Sequence, residues 1–521
     1  MKPVSGRQVL AIGIEVGNFE FIRAALASGK LPVLASLATE GSLIPMSTVT
    51  EISSGSIWPS FSTATNPLKN GQFFTHMQLH SGTYRIDKKY ANAIPVDFFW
   101  APLGRAGLRV FSFDIAQTRP IENFNGVNLC GWGSEFPAWP RSSWPKSLMK
   151  ELVAAYGSHP LVDQYRLSIK PETEDEHQAF YKKLATGFER KGKICLAILK
   201  RERWDLSIIV FPEVHWAMHL LWHTYDKTHP AHRPGLNLPF EDIFLTLYQK
   251  LDHLLGQFLE IIPDASVVVF SGSGFGPNYS GWHLLPEVLQ RLGAGPDQTA
   301  RKESPLSSIL PMKKWGAYKI RNLEDLLSVN VIETSKKVLP KSIWDKVTRR
   351  LLFAGNRWAE CRAFCLPNDY TGAIRINLRG REPRGIVSPG EEYEALIQML
   401  TRELLALINC DTGKPAVARV IRLDREYPGA ALGDFPDLIV VWSNDAPIFS
   451  LQSPRIGVVS GEIPERRSGA HRNDCFVLSN EKLQAPADSG RVSLIDIPPT
   501  IFNLLSQEIP SYFDGRPLTA A

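Results

Sequence analysis

Residues 267–281 read VVVFSGSGFGPNYSG. Val267, Val268, Val269 and Phe270 are consecutive strong β-formers without polar alternation, so they predict a strand buried on both faces. The Ser-Gly-Ser-Gly that follows predicts a turn where the strand leaves its sheet, the place where α/β enzymes commonly keep their chemistry. That turn carries no acid, imidazole or charge. Outward from it, QVLAIGIEVG (8–17), RVFSFDIA (109–116) and DLSIIVF (205–211) are further strand candidates. NFEFIRAALASGKLPVLASLATEG (18–41) and FEDIFLTLYQKLDHLLGQFLEII (240–262) have the helical period, and the second delivers the chain to Val267. Strand, helix and strand in this order predict an α/β protein whose mostly parallel sheet is covered by helices on both faces.

The 521 residues are enough for one large domain with an insertion, or for two domains. We expect a first core segment at 1–292, with a helical insertion over about 120–200. From 293 to 365 the sequence turns basic and irregular, and predicts an inserted helical cap. The rest of the core, 366–521, returns with GAIRINLRG (372–380), a helix at 390–409, PDLIVVW (436–442) and VSLIDIPPTIFNLL (492–505). Hydrophobic residues make up 44% and charged ones 21%, with a net charge of +5. No Lys/Arg run interleaved with aromatics marks a nucleic-acid track, and the mild basicity favours small anions. The apolar run Val9–Ile14 is too short for a secretory signal and ends at Glu15, so it reads as a strand. No stretch approaches the roughly 18–20 apolar residues of a membrane span, and a cytoplasmic protein is expected. Of six cysteines only Cys361 and Cys365 are close; reduced core thiols are expected, a metal pair being the alternative.

Three segments can carry chemistry. In PEVHWAMHLLWHTYD (212–226), His215 and His219 are four apart; on a helix they share a face and can hold one divalent metal, or they are simply core histidines. His223 continues the stripe, and Asp226 and His229 just beyond are possible partners for the rings. SGAHRND (468–474) places His471 in a polar stretch that reads as a solvated loop. TEISSGSIWPSFSTATNPLKNG (50–71) puts Ser53 and Ser54 ahead of a helix starting near Gly55 or Ser56. A hydroxyl there meets backbone N–H groups and suits a nucleophile facing a phosphate, or it is a plain N-cap. His76 and His80 follow that segment and are candidates for lining a pocket.

Six segments in order give the chain a resemblance to the alkaline phosphatase superfamily, in its type I phosphodiesterase/nucleotide pyrophosphatase branch. They are AIGIEVGNFEFIRAALASGKLPVLASLATEGS (11–42), WPSFSTATNPLKNG (58–71), HWAMHLLWH (215–223), VVVFSGSGFGP (267–277), SGAHR (468–472) and VSLIDIPPTIFNLLSQEIPSYFDGRPL (492–518). The resemblance implies an alkaline-phosphatase-like three-layer α/β sandwich and hydrolysis of small anionic phosphoesters, of the phosphodiester or nucleotide pyrophosphate class. It implies two metals, commonly zinc, beside a Thr or Ser nucleophile, a position that falls on Ser54. The first metal's ligands fall on His215, where many relatives have Asp, and on His219 and His471. The second site falls on Glu15 in place of Asp, Ser54, Gly272 in place of Asp, and Ser273 in place of His. Glycine has no donor and a neutral hydroxyl is a poor substitute for imidazole, so one divalent metal, most readily Zn2+, is expected and the second is expected to be absent. Without it Ser54 needs another base, and Glu15 is the candidate. Asn278 and Tyr279, in the altered turn, are candidates for touching substrate. The competing expectation is a degenerate relative that binds a phosphorylated ligand or a partner without turnover; a structural zinc or a transferase is a third.

Overall fold

The computed structural model describes residues 6–73, 77–80, 82–88, 94–134, 141–161, 171–295, 357–461, 467–485 and 492–520. The chain divides into two compact units, one of Met1–Gln78, Lys88–Asn278 and Arg466–Ala521, the other of Leu79–Asp87 and Tyr279–Glu465. The cap expected over 293–365 lies, for residues 296–356, outside the described residues.

The first unit is built on β1 (Val9–Val16), β2 (Ser42–Ser47), β3 (Val110–Phe113), β4 (Gly126–Cys130), β5 (Ser142–Trp144), β6 (Leu206–Phe211), β7 (Ser266–Pro277), β8 (Gly469–Arg472), β9 (Asp474–Ser479) and β10 (Val492–Ser493). They form one sheet in the order β10-β2-β9-β7-β1-β6-β3-β4-β5, with β8 paired to β7 beside that path. β7, β1, β6, β3 and β4 run parallel, whereas β9 and β5 are antiparallel to their neighbours. Every residue of β1 and β6 is buried, as uniformly apolar central strands require.

Side-chain alternation still sorts these strands between two cores. Leu10, Ile12, Ile14, Val267, Val269, Ile209 and Phe211 enter the core covered by α1 (Phe19–Ala27), α2 (Pro32–Glu40), α4 (Glu174–Leu199), α5 (Glu213–Tyr225) and α6 (Ile243–Ile261). Val9, Ala11, Val268, Phe270, Ile208 and Val210 enter the opposite core, under α3 (Ile57–Thr63) and α7 (Ile497–Leu504). Helix layer, sheet and helix layer are the three layers expected. Among the described residues no single helix is long and apolar enough to cross a membrane.

α4 starts at a capping box, in which Thr173 and Glu176 exchange side-chain and backbone hydrogen bonds, and is pinned to the sheet by a buried cation. Lys191 Nζ donates to Asp114 Oδ2 at 2.7 Å and to the Val210 carbonyl at the end of β6, with Lys191 and Asp114 both shielded from water. The second unit is separately cored. Its four-stranded antiparallel sheet is ordered 363–366, 372–376, 438–442, 417–422, and helix Glu391–Leu405 contributes Leu396, Ile397, Leu400 and Leu404 to the core.

Three local readings change. The SGSG segment is not a turn: β7 continues through it to Pro277, and β8 pairs antiparallel with its outer half, Arg472 opposite Gly274 and His471 opposite Phe275. Its glycines serve close backbone approach, since a Cβ on Gly274 would collide with the Asp474 carbonyl. SGAHRND is correspondingly strand, not solvated loop. The span 120–200, expected to be a helical insertion, also supplies β4 and β5 to the central sheet.

Candidate metal centre

α5 begins where β6 ends, so the parallel sheet delivers His215 and His219 to its carboxyl edge, one helical turn apart on one face. β8 brings His471 to the same place from 252 residues further along, 471 minus 219. Ser468 secures this approach, its N–H donating 2.8 Å to the His219 carbonyl. Gly469 follows it, where a Cβ would collide with the Met218 carbonyl on α5. The three imidazoles are buried, and one nitrogen from each lies within 4.8 Å of the other two.

Which nitrogens converge follows from what holds the others. His219 Nδ1 donates to the Gly469 carbonyl at 3.1 Å, so the ring's proton sits on Nδ1 and its lone pair on Nε2. His471 Nδ1 lies 2.7 Å from Ser273 Oγ on β7. His215 Nδ1 faces Glu15 Oε2 at 3.5 Å, longer than a closed hydrogen bond. His215 Nε2 and His471 Nε2 then stand 3.1 Å apart. Two nitrogens bound to one zinc at 2.0–2.1 Å in tetrahedral geometry lie about 3.3 Å apart, so the spacing fits a shared cation. A neutral three-imidazole set suits zinc, copper or nickel better than magnesium or calcium. The burial that penalises charge, then His215, Arg467 and His471, hold the His219 imidazole well below its usual range, in the neutral form that ligation requires.

The remaining candidates are distributed around this cluster. Glu15 is buried at the end of β1; besides facing His215, it accepts a hydrogen bond from Trp58 Nε1 at 3.2 Å on Oε1. Ser54 is partly exposed and opens a short 3-10 turn, Ser54–Ser56, so the helix proper starts at Ile57, and Ser53 caps the turn by accepting from Gly55 N–H. Gly272 is packed against that segment: a Cβ there would lie 3.1 Å from both the Glu15 carbonyl and Trp58 Cζ2. Asn278 Nδ2 donates 3.2 Å to the Arg467 carbonyl, and its N–H donates to Ser468, so it fastens the chain leading into β8. Tyr279 is buried and opens the second unit. Asp226 caps α5, accepting from Trp222 Nε1 and Thr228, instead of serving the three rings. His223 accepts or donates at Ser468 Oγ through Nδ1 and meets His177 Nε2 at 3.4 Å. His76 lies outside the described residues, and His80 is exposed.

Sequence reasoning did not find three participants. Trp58 and Arg467 drew no reading at all, and Ser273 was read as a poor replacement for an imidazole ligand, not as a partner of His471. The basic run before SGAHR was the available signal for Arg467.

No protein-family model matches the sequence, and no curated protein matches it. Among solved structures, phosphonoacetate hydrolase from Sinorhizobium meliloti 1021 in complex with phosphonoformate is 13% identical, with 96% of this chain and 98% of that chain covered and a TM-score of 0.52. The same enzyme with phosphonoacetate gives 12% and 0.52 over the same shares. An inactive murine ectonucleotide pyrophosphatase/phosphodiesterase 5 in complex with AMP is 9% identical, covers 97% of this chain and 96% of its own, and has a TM-score of 0.42. At these identities the likeness is one of architecture: the chain has the alkaline-phosphatase-like fold.

Proposed function

We propose that this chain is a metal-dependent hydrolase of small anionic phosphoester substrates, of the phosphodiester or nucleotide pyrophosphate class, built around a single divalent metal held by His215, His219 and His471. The observation that carries the reading is the convergence of three buried imidazoles whose Nδ1 atoms are directed elsewhere. Folding alone does not require it. A zinc in such a site supplies a Lewis acid for a phosphoryl oxygen and lowers the pKa of its water to about 7.

The chain's own residues bind and orient. Arg467, close enough to His219 to depress its basicity, supplies the positive charge that draws an anionic substrate to the rings. Ser54, one helical turn before Trp58, offers the hydroxyl that attacks the phosphorus or holds one of its oxygens. The phosphonoformate and phosphonoacetate bound by the structural neighbour support a small anionic ligand.

A second reading, binding without turnover, is favoured by one specific feature. Without a cation two of the rings can pair directly: Ser273 O–H can donate to His471 Nδ1 and His471 Nε2–H to His215 Nε2, each link having one donor and one acceptor, while His215 Nδ1 points toward Glu15 at 3.5 Å. Elemental analysis of protein purified without chelator, paired with turnover of a nitrophenyl phosphodiester, separates the two. The hydrolase reading expects one zinc per chain and turnover, both lost in His471→Ala. Absence of both from the wild type refutes it.

A further inference from the structure

The positions that correspond to a second cation site are not idle. We propose that Glu15 and Ser273 are positioning residues of the three-histidine centre, each setting which nitrogen of one imidazole faces the shared point. The inference rests on the single-metal reading above and assigns Glu15 a different task from deprotonating Ser54.

A neutral imidazole carries one proton and one lone pair, and whichever nitrogen donates leaves the other as ligand. His219 needs no side chain for this, because the Gly469 carbonyl fixes its Nδ1. The Nδ1 atoms of His215 and His471 meet side chains instead, those of Glu15 on β1 and of Ser273 on the adjacent parallel strand β7. The two residues that are poor ligands for a second cation are therefore good hydrogen-bond partners for the first cation's ligands. Glu15 is itself oriented, with Oε1 on Trp58 Nε1 and Oε2 toward His215. Its negative charge also offsets a dication that three neutral rings leave uncompensated. Trp58 Cζ2 also lies 3.1 Å from where a Cβ on Gly272 would stand, so the indole packs closely against β7.

The test measures zinc affinity by competition with a chromophoric chelator, and the visible spectrum of the Co2+ form, for wild type, Glu15→Ala, Glu15→Gln and Ser273→Ala. Carboxylate–histidine–metal partners typically contribute 10- to 100-fold to affinity, so Glu15→Ala and Ser273→Ala should each weaken zinc by about that factor and shift the Co2+ bands. Glu15→Gln keeps an acceptor oxygen of the same reach without the charge, and should fall between wild type and Glu15→Ala. It also reports on the assignment if the alanine variant does not fold. Zinc bound as tightly and with the same spectrum in all three variants overturns the assignment and, if turnover is lost in Glu15→Gln, returns Glu15 to the role of base. A wild type that binds no zinc overturns the single-metal reading, and this assignment with it.

Discussion

Restoring the pair that the resemblance places in this site, Gly272→Asp with Ser273→His, is the most direct test of whether the second cation position is merely missing its ligands. The geometry says that it is not. At residue 272 a bare Cβ already sits 3.1 Å from a backbone carbonyl and 3.1 Å from the Trp58 ring, so even the first atom of a side chain is crowded and a carboxylate needs more room still. Ser273 has no exposed surface, so an imidazole there must displace its surroundings, and the 2.7 Å partner of His471 is lost. Overpacking costs about 1–3 kcal/mol at each position and the lost hydrogen bond about 1 kcal/mol, so the double variant should be destabilised by about 3–7 kcal/mol. That is a large share of the roughly 5–15 kcal/mol that keeps a domain folded. Urea denaturation and elemental analysis of the same preparation check both halves, the expected result being a marginal protein with no more than one zinc per chain. A double variant as stable as wild type and carrying two zincs refutes the reasoning.

Arg467→Ala should raise KM for an anionic phosphodiester and lower kcat/KM about 10- to 100-fold, matching the roughly 1.5–3 kcal/mol of a charged hydrogen bond, while zinc content stays at the wild-type value; an unchanged KM removes Arg467 from the site. Lys191→Met leaves Asp114 buried with only the N–H groups of Gly133 and Ser134, and should cost about 3–5 kcal/mol in denaturant melts; a loss below about 1 kcal/mol would show that the pair does not pin α4. In the second unit, burial pushes the His283 imidazole down to about 4, the Gly461 backbone acting in the opposite sense. A depressed histidine stabilises fully above its unfolded value of about 6.5 and loses that contribution as pH falls toward 4, at most about 3 kcal/mol. His283→Gln should flatten this limb of the stability–pH curve, and an unchanged slope excludes His283 as its source.

What the sequence disclosed and what it concealed divide along the range of the interactions. The parallel core was legible because β1, β6 and β7 announce themselves as unbroken apolar runs, and α5 because two histidines four apart imply one helical face. The SGSG segment was misread because local preference speaks only of glycine's freedom, whereas Gly274 is small in order to let Asp474 approach from 200 residues away, 474 minus 274. Trp58 was invisible for the same reason: an indole in an apolar run says core, and only the fold shows its N–H on Glu15. The histidine stripe shows both sides at once. At 3.6 residues per turn, each step of four advances about 40° around the helix, so His215 and His219 can share a centre while a third ring at the same spacing has rotated about 80° away. His223 accordingly meets α4 through His177 instead of joining the three-histidine cluster. A regular spacing thus defined two members of the centre and excluded the third, and the ring that completes it, His471, came from a strand whose pairing no local pattern encodes.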